Sequence, residues 1–418
     1  MLTDEEDRAA AARRFSRRAV LQGSGMSLLA LTLPDLVRAA PSPDGRTLVV
    51  IQLAGGNDGL NTVVPIGQPE YRKLRPTVGL TPEEVLPLDR DGLAFHGSLK
   101  RLHERWQKGE VAAVLGVGLP KPNRSHFEAT ALWQSARAEP QLEPSGWLGR
   151  ALETRTDPVR QPLVALGIGG GGLSPVLYAR GSPFTSLMSL EAFTVQPDRR
   201  FPGDVPALNA GLAGLQREIS KEPAELGSLR RVGRTALASS AALADAVKGY
   251  RSQAEYPKGP FGDSLRLVGQ LMAASLGVRV FHLTLGGFDT HANQKRQHAP
   301  LLQQLSEGVC ALLDDATEHG AASRLVVMTY SEFGRRAQEN ASGGTDHGAG
   351  SVAFLAGERV AGGLHGPGPR LGALVDGDVP STVDFRSLYS AILRDWLAVP
   401  PVPVVGPAPV LGLLRGPA

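Results

Sequence analysis

Short apolar runs alternate with amphipathic segments along most of this chain. Five runs rich in Val, Leu and Ile predict buried strands: Thr47–Leu53, Val111–Val117, Pro162–Ile168, Val278–Leu285 and Leu325–Tyr330. Four segments with helical period lie between them and predict helices: Ser98–Lys108, Ser125–Ala136, Ser264–Ala274 and Ala299–Glu318. Because strands that alternate with helices favour right-handed crossovers, we expect an α/β fold with a doubly wound, mainly parallel sheet and helices on both faces.

The first 40 residues have the layout of an export signal. The pair Arg17-Arg18 precedes a modest apolar stretch at 23–33, and small residues come before Pro41. This arrangement resembles a twin-arginine signal, which bacteria use to export folded proteins; an N-terminal surface helix is the alternative. We therefore expect the twin-arginine export machinery to export the protein and residues 1–40 to be removed. The mature protein is then expected to be periplasmic or extracellular.

The mature chain, residues 41–418, is predicted to form one domain. An Ala/Leu-rich stretch at 201–250 has helical period and predicts a helical insertion over the sheet, and 399–418 form a Pro-rich tail. After the signal, no segment reaches the ~18 uninterrupted apolar residues that cross a bilayer, so we expect no membrane span once the signal is removed.

Composition excludes several protein classes. The chain has 44 Lys+Arg against 41 Asp+Glu, a net charge of +3, which excludes a strongly basic nucleic-acid binder. Its 42% of hydrophobic residues suffices for a large core. The single cysteine, Cys310, excludes an intramolecular disulfide framework and a thiolate-rich metal site.

Rare polar residues collect directly after the predicted strands, where open α/β sheets bind their ligands. The segments concerned are 54–62, 122–128, 286–298 and 331–348. They contain five of the six asparagines and four of the nine histidines of the chain. Gly-rich turns alone explain Asn57 and Asp58, but they do not explain the histidines.

Paired carboxylate and imidazole groups in these segments favour metal binding. Asp289 with His291, and Asp346 with His347, form two pairs at two different strand ends. Such ligands suit zinc, and carboxylates also suit manganese or magnesium. Two facing clusters suit a pair of divalent ions ~3.5–4 Å apart that hold an oxyanion and its attacking group.

Other polar residues have more than one interpretation. Asp58 is a candidate to bridge or complete one metal, Glu332 is a further ligand or a partner behind a ligand, and His126 is either a ligand or a packing residue. Ser125 is either a nucleophile at a helix N-terminus or the first residue of the capping box Ser125-x-x-Glu128. Arg124 and Arg335 are candidate clamps for a tetrahedral anion or ordinary surface residues.

These motifs together resemble a known family. GGNDGLNTVVP, NRSHFEA, GGFDTHANQ, SEFGRR, GTDHG and TVDFRSLYSAIL are similar to the bacterial secreted family called domain of unknown function 1501, within the alkaline-phosphatase-like superfamily. The resemblance implies a doubly wound sheet with two metals and the chemistry of phosphatases, sulfatases, phosphodiesterases or mutases. It implies the nucleophile position for Ser125, the acid after the first strand for Asp58, metal ligation by the two acid–histidine pairs, and a helix-opening acid at Asp384.

Three features depart from the superfamily pattern. Neither Cys310 nor Ser125 lies in the C/S-x-P-x-R context that sulfatases convert to formylglycine. The late third histidine of alkaline phosphatases has only His365 as a candidate. Asp289-x-His291 is closer spaced than the usual pair, which leaves His298 or Asn293 as an alternative ligand.

The sequence therefore predicts an exported metal-dependent hydrolase of phosphate or related esters. Its substrate is expected to be a small anionic ester, attacked by Ser125 or by metal-bound hydroxide, and zinc is the first candidate metal. One alternative is a non-catalytic exported protein that keeps the metal and anion fold for binding or for cell-surface assembly. A second is a structural exported protein whose histidines only pack.

Overall fold

The computed structural model describes residues 45–88, 92–119, 121–137, 145–154, 163–169, 174–179, 185–187, 243 and 247–416. A compact unit formed by 38–187 and 246–418 holds every strand and helix named below. The predicted signal at 1–40 lies outside the described residues, as does the predicted insertion at 201–250 apart from 243 and 247–250.

The described residues form strands and helices in alternation. The strands are β1 Thr47–Leu53, β2 Val63–Val64, β3 Val85–Pro87, β4 Ala94–His96, β5 Val111–Gly118, β6 Ala165–Ile168, β7 Thr185–Leu187, β8 Val280–Leu285, β9 Leu325–Tyr330, β10 Ser351–Ala356, β11 Gly363–His365 and β12 Val383–Asp384. The helices are α1 Gly59–Thr62, α2 Pro69–Leu74, α3 Lys100–Gln107, α4 His126–Ser135, α5 Trp147–Glu153, α6 Pro260–Ala273, α7 Gln294–Glu318, α8 Phe385–Ala391 and α9 Val402–Val405.

One large mixed sheet organises the unit. Its strand order is β11-β5-β10-β9-β1-β8-β6-β7, with β12 also paired to β5. Strand β1 lies parallel to both β8 and β9, so the carboxyl ends of these strands meet at one edge. Strand β10 is antiparallel to both of its neighbours, β5 and β9. A separate small sheet has the order β2-β4-β3.

Helices cover both faces of this sheet. On one face α4, α5 and α8 contribute Trp133, Trp147 and Tyr389 to a core that includes Leu48 and Val50 of β1. The intervening residues of β1 point to the opposite face, because side chains alternate along a strand. Helices α3, α6 and α7 pack together, and α6 and α7 contact β8 and β9, respectively. Burial on both faces explains why every residue of β1 is apolar or paired.

The fold class predicted from the sequence is confirmed. Strands β1 and β9 have the predicted bounds, and β8 begins two residues later than predicted, at Val280. The antiparallel β10 is an element that was not predicted. A short apolar run after a Gly-rich loop does not encode the direction in which the strand pairs.

The segment 399–416 packs against the core. It contains α9, and it buries Val399, Val404 and Leu413 in the same cluster as Trp147. Within the part of the chain that the structure describes, no helix combines the length and apolar character of a membrane span.

Candidate metal centre

Loops at the carboxyl ends of β1, β8 and β9 are tied together by hydrogen bonds. The Gly55 amide donates to Glu332 Oε1 at 2.8 Å, and the Phe288 amide donates to the Ala54 carbonyl at 3.1 Å. Gly55 has φ +117°, and a Cβ built on it would lie 2.4 Å from the Asp289 nitrogen. Glycine at this position therefore permits the close approach of the first loop to the loop that carries Asp289.

Three imidazoles converge on one carboxylate at this edge. The Nε2 atoms of His291 and His347 lie 3.0 and 3.2 Å from Asp289 Oδ1, and His126 Nε2 lies 3.5 Å from Asp289 Oδ2. The His291 and His347 Nε2 atoms are 2.8 Å apart. We call these four residues the imidazole–carboxylate cluster. Among the described residues, the potential ligand atoms of His126, Asp289 and His347 all lie within 4.8 Å of one another.

Each of the three imidazoles is oriented through its other ring nitrogen. His126 Nδ1 lies 3.0 Å from Glu332 Oε1, and His291 Nδ1 lies 3.1 Å from Asp346 Oδ1. His347 Nδ1 lies 2.8 Å from the backbone carbonyl of Arg124. A carbonyl accepts only, and so does an ionised carboxylate, so each Nδ1 is assigned as the N–H donor.

In neutral imidazoles, this assignment leaves an Nε2 lone pair on each ring, directed at the cluster. At 2.8 Å, the lone pairs of His291 and His347 repel each other unless a proton or a cation lies between them. Metal-ligating histidines have this arrangement, with the second nitrogen held by a carboxylate or a backbone carbonyl. His126, Asp289 and His347 therefore fit a divalent cation by donor type and orientation, and His291 lies beside them.

Arg335 fixes the charge of Asp289. Burial raises the pKa of the Asp289 carboxyl, but the hydrogen bond from Arg335 and the Arg335 charge more than offset this effect and hold the pKa below its usual range. The Arg335 side chain is fully buried and donates to Asp289 Oδ1 at 2.8 Å and to the Gly56 and Thr345 carbonyls, each at 2.7 Å. Because these acceptors occupy its donors, Arg335 holds loops together and is not an open anion clamp.

Asp346 lies behind a histidine of the cluster. Its Oδ1 accepts from Asn340 Nδ2 at 3.1 Å as well as from His291 Nδ1. The Asn340 hydrogen bond and the His291 contact lower the pKa of Asp346. In this geometry Asp346 and Glu332 orient His291 and His126, respectively, and Glu332 has the partner role that was one of its two interpretations.

The structure does not bring Asp58 into the cluster. Its side chain is fully buried and forms an ion pair with Arg75, whose Nη1 lies 2.6 Å from Asp58 Oδ2. Burial raises the pKa of Asp58, but the Arg75 charge and hydrogen bond overcome this effect and the net pKa is lowered. The carboxylate is therefore ionised and already neutralised by a guanidinium.

His298 also lies outside the cluster. It is fully buried on α7, its Nε2 lies 2.9 Å from Asn57 Oδ1, and its ring meets the Phe288 ring edge-on at 5.9 Å. Burial lowers the pKa of His298 to about 3. His291 therefore takes the position in the cluster for which His298 was the alternative.

Ser125 and Arg124 lie beside the cluster at the start of α4. The Ser125 side chain caps this helix by accepting from the Glu128 amide at 3.5 Å, and the residue is exposed. The Ser125 amide donates to Asn123 Oδ1 at 2.9 Å and not to the Glu128 side chain, so only one half of the predicted capping box is formed. The Arg124 guanidinium pairs with Asp378 while its side chain is 46% exposed. The residue next to Ser125 is His126, so the cap fixes the position of a cluster histidine.

Two further candidates lie outside the cluster. His365 lies in β11, and its Nε2 is 2.9 Å from the Ala361 carbonyl. Asp384 opens α8, where its Oδ1 accepts from the Arg386 amide at 2.9 Å, as the resemblance implies.

Comparisons with known proteins return distant structural matches. The PsFucS1 sulfatase from Pseudoalteromonas sp. matches with 12% identity over 96% of this chain and 72% of that chain, at a TM-score of 0.38. The C-terminal periplasmic domain of EcEptC from Escherichia coli, in complex with Zn, matches with 10% identity over 78% of each chain, at a TM-score of 0.33. The phosphonate monoester hydrolase SpPMH from Silicibacter pomeroyi matches with 9% identity over 84% of this chain and 73% of that chain, at a TM-score of 0.34.

A family model gives the more specific match. No curated protein matches the sequence. Residues 216–398 match the model described as "Protein of unknown function (DUF1501)", and this segment includes Asp289, His291, Asp346 and His347. This is the family that the motifs resemble, and the match covers residues 216–398 of the 418.

Proposed function

We propose that this protein is an exported, metal-dependent hydrolase of phosphate or related esters, with its reactive centre at the imidazole–carboxylate cluster. The observation that carries the proposal is the convergence of three Nε2 atoms on Asp289 while an acceptor holds each Nδ1. The 2.8 Å separation of the His291 and His347 Nε2 atoms requires a proton or a cation between the two rings.

The donor set indicates which metal the centre would prefer. His126, His291 and His347 offer imidazole nitrogen and Asp289 offers a carboxylate, a set that suits zinc better than magnesium or manganese. The Asp289 side chain is 49% exposed and that of His291 is 43% exposed, which leaves the centre open to a substrate. A divalent ion held there would supply Lewis-acid polarisation of the ester oxygen.

Residues around the cluster prepare it for this chemistry. Arg335 keeps Asp289 ionised, and Glu332 and the Arg124 carbonyl keep the protons of His126 and His347 on Nδ1. These contacts fix the ligand atoms before a substrate arrives, which is the preorganisation that catalysis requires.

Ser125 and Arg124 are the proposed substrate-facing residues. Ser125 precedes His126 at the N-terminus of α4, where the helix dipole favours negative charge on an attacking oxygen or a bound ester. Its hydrogen bond to the Glu128 amide is long, at 3.5 Å, which leaves the hydroxyl available. The half-exposed Arg124 guanidinium can exchange Asp378 for the oxygens of an anionic ester, because its planar donors match both.

Metal content and turnover, measured together, test the proposal. We expect the purified mature protein to contain zinc and to hydrolyse at least one of the nitrophenyl phosphate mono- and diesters, phosphonate esters or sulfates. His347→Ala should lose both the metal and the turnover, whereas the matched control His365→Ala should keep both. A wild-type protein without metal would contradict the proposal, and bound zinc without turnover on any ester would favour an exported binding protein.

Ser125→Ala tests the attacking group separately. If Ser125 attacks the ester, this variant should keep its zinc content and lose turnover by at least ~10²-fold. Unchanged turnover with unchanged zinc would remove Ser125 from the mechanism and leave the rest of the proposal intact.

A further inference from the structure

The family resemblance implies two metal ions, but the surroundings of Asp58 do not fit the second. We propose that the chain holds a single divalent ion, because the Arg75 guanidinium takes the place of a second cation at Asp58. This inference rests on the proposed metal centre at the imidazole–carboxylate cluster.

Both oxygens of Asp58 already have donors. Oδ2 accepts from Arg75 Nη1 at 2.6 Å and from Gln294 Nε2 at 2.5 Å. Oδ1 accepts from the Leu60 and Asn61 amides at 3.1 and 3.4 Å, because Asp58 is the N-cap of α1. A metal ligand must offer a free lone pair, and these four contacts use the directions in which a buried carboxylate accepts.

Arg75 is locked in its position. Its side chain is fully buried, and besides Asp58 it donates to Asn61 Oδ1 at 2.8 Å, to the Ala337 carbonyl at 2.9 Å and to the Arg336 carbonyl at 2.8 Å. A guanidinium does not lose its proton in proteins. A second cation at Asp58 would therefore face a fixed positive charge beside its ligand.

Gln294 is fixed in the orientation that excludes a metal. Its Oε1 accepts from the hydroxyls of Thr290 and Thr345 at 3.1 and 2.6 Å. Two hydroxyl donors on one amide atom assign that atom as oxygen, so the NH₂ group points to Asp58. The amide therefore presents a donor, and not a ligand, to the Asp58 oxygen that Arg75 also contacts.

The same contacts tie the Arg75–Asp58 pair to the metal-binding loops. Thr290 is adjacent to Asp289 and His291, and the Thr345 amide donates to the Thr290 carbonyl at 3.2 Å. A single ion at the cluster would thus be held by loops that a buried ion pair supports.

Zinc and cobalt stoichiometry test the inference directly. The full mature protein is stripped of metal, loaded with excess Zn²⁺, gel-filtered, and analysed for zinc per chain. In parallel, Co²⁺ is titrated into the stripped protein and its visible absorption is followed. We expect about one zinc per chain and an absorption that saturates at one equivalent of Co²⁺.

Paired variants separate Asp58 from the cluster. Asp58→Asn combined with Arg75→Gln removes both buried charges together, and asparagine can still cap α1. We expect this double variant to keep one zinc per chain, with a dissociation constant within about tenfold of the wild type. His347→Ala should bind none. If the double variant does not fold, His347→Ala and wild-type stoichiometry still decide the question.

The outcomes distinguish this inference from the proposed function. Two zinc ions per wild-type chain, falling to one in the double variant, would overturn the single-ion inference and leave the metal-dependent hydrolase standing. No zinc in the wild type would overturn both.

Discussion

Glu332 offers the sharpest test of how the cluster is organised. Its Oε1 accepts from His126 Nδ1 at 3.0 Å and from the Gly55 amide at 2.8 Å, and its side chain is 3% exposed. Glu332→Ala removes the acceptor of both donors and leaves every proposed metal ligand unchanged in sequence. Glu332→Gln is the matched control, because an amide oxygen at the same position can accept both hydrogen bonds.

The expected magnitude has two parts. A partner behind a metal ligand is worth about 10–100-fold in metal affinity, because it fixes the tautomer and the direction of the ring. For His126 this corresponds to ~1.4–2.8 kcal/mol of binding free energy. The second part is folding stability. A buried amide left without an acceptor costs ~1–3 kcal/mol, and Glu332→Ala removes the acceptor of the Gly55 amide, so the free energy of unfolding should fall by this amount.

Two assays measure these parts separately. Competition between the stripped protein and a chromophoric chelator gives the zinc dissociation constant, and urea denaturation without metal gives the free energy of unfolding. We expect Glu332→Ala to bind zinc more weakly and to have a lower free energy of unfolding than the wild type. Glu332→Gln should remain within about threefold of the wild-type zinc affinity. A glutamine variant as weak as the alanine variant would refute orientation by hydrogen bonding, and wild-type affinity in Glu332→Ala would refute any role in orienting His126.

Three further predictions concern other parts of the chain. Burial lowers the pKa of His298 to about 3, so between pH ~6.5 and about pH 3 the unfolded state binds a proton that the folded state does not bind. As the pH is lowered through this range, the free energy of unfolding should therefore fall by up to ~1.4 kcal/mol per pH unit. Urea titrations at several pH values should show a shallower fall in His298→Gln. Gly55→Ala, whose Cβ would lie 2.4 Å from a neighbouring backbone nitrogen, should lower zinc affinity and stability, whereas Gly286→Ala, with open space around it, should change neither in the same assays. Replacing Arg17 and Arg18 by lysine should leave the precursor in the cytoplasmic fraction on immunoblots, and unchanged export would contradict the twin-arginine interpretation.

The sequence predicted the sheet better than it predicted the side-chain partners. Strand β1 is a continuous apolar run bounded by polar turns, so both its limits and its burial followed from the pattern. The pairing direction of β10 did not follow, because an apolar run has the same appearance in parallel and antiparallel pairs. Two helix ends followed from the sequence: Ser125 caps α4, and α7 ends at Glu318 as predicted. The starts of α6 and α7 did not follow, since they lie at Pro260 and Gln294 and not at the predicted positions 264 and 299.

The site was predicted in part. Asp289, His291 and His347 lie together because they follow strands whose carboxyl ends share one edge. His126 was left with two interpretations, since its partner Glu332 is distant in sequence and the contact depends on the position of α4. The role of Arg75 could not be predicted, because arginine is rarely buried and the sequence around it has the pattern of an ordinary amphipathic turn.

The contrast between Asp58 and Asp289 shows what decides whether a strand-end acid is available to a metal. Each lies beside a buried arginine, and in each case the arginine keeps the carboxylate ionised. Asp58 has donors on both oxygens and no exposed surface, whereas Asp289 receives Arg335 on Oδ1 and keeps Oδ2 toward His126 with half of its side chain exposed. The same type of ion pair therefore makes Asp58 unavailable to a cation and leaves Asp289 available, because a carboxylate can bind a cation only through an oxygen that has no other donor.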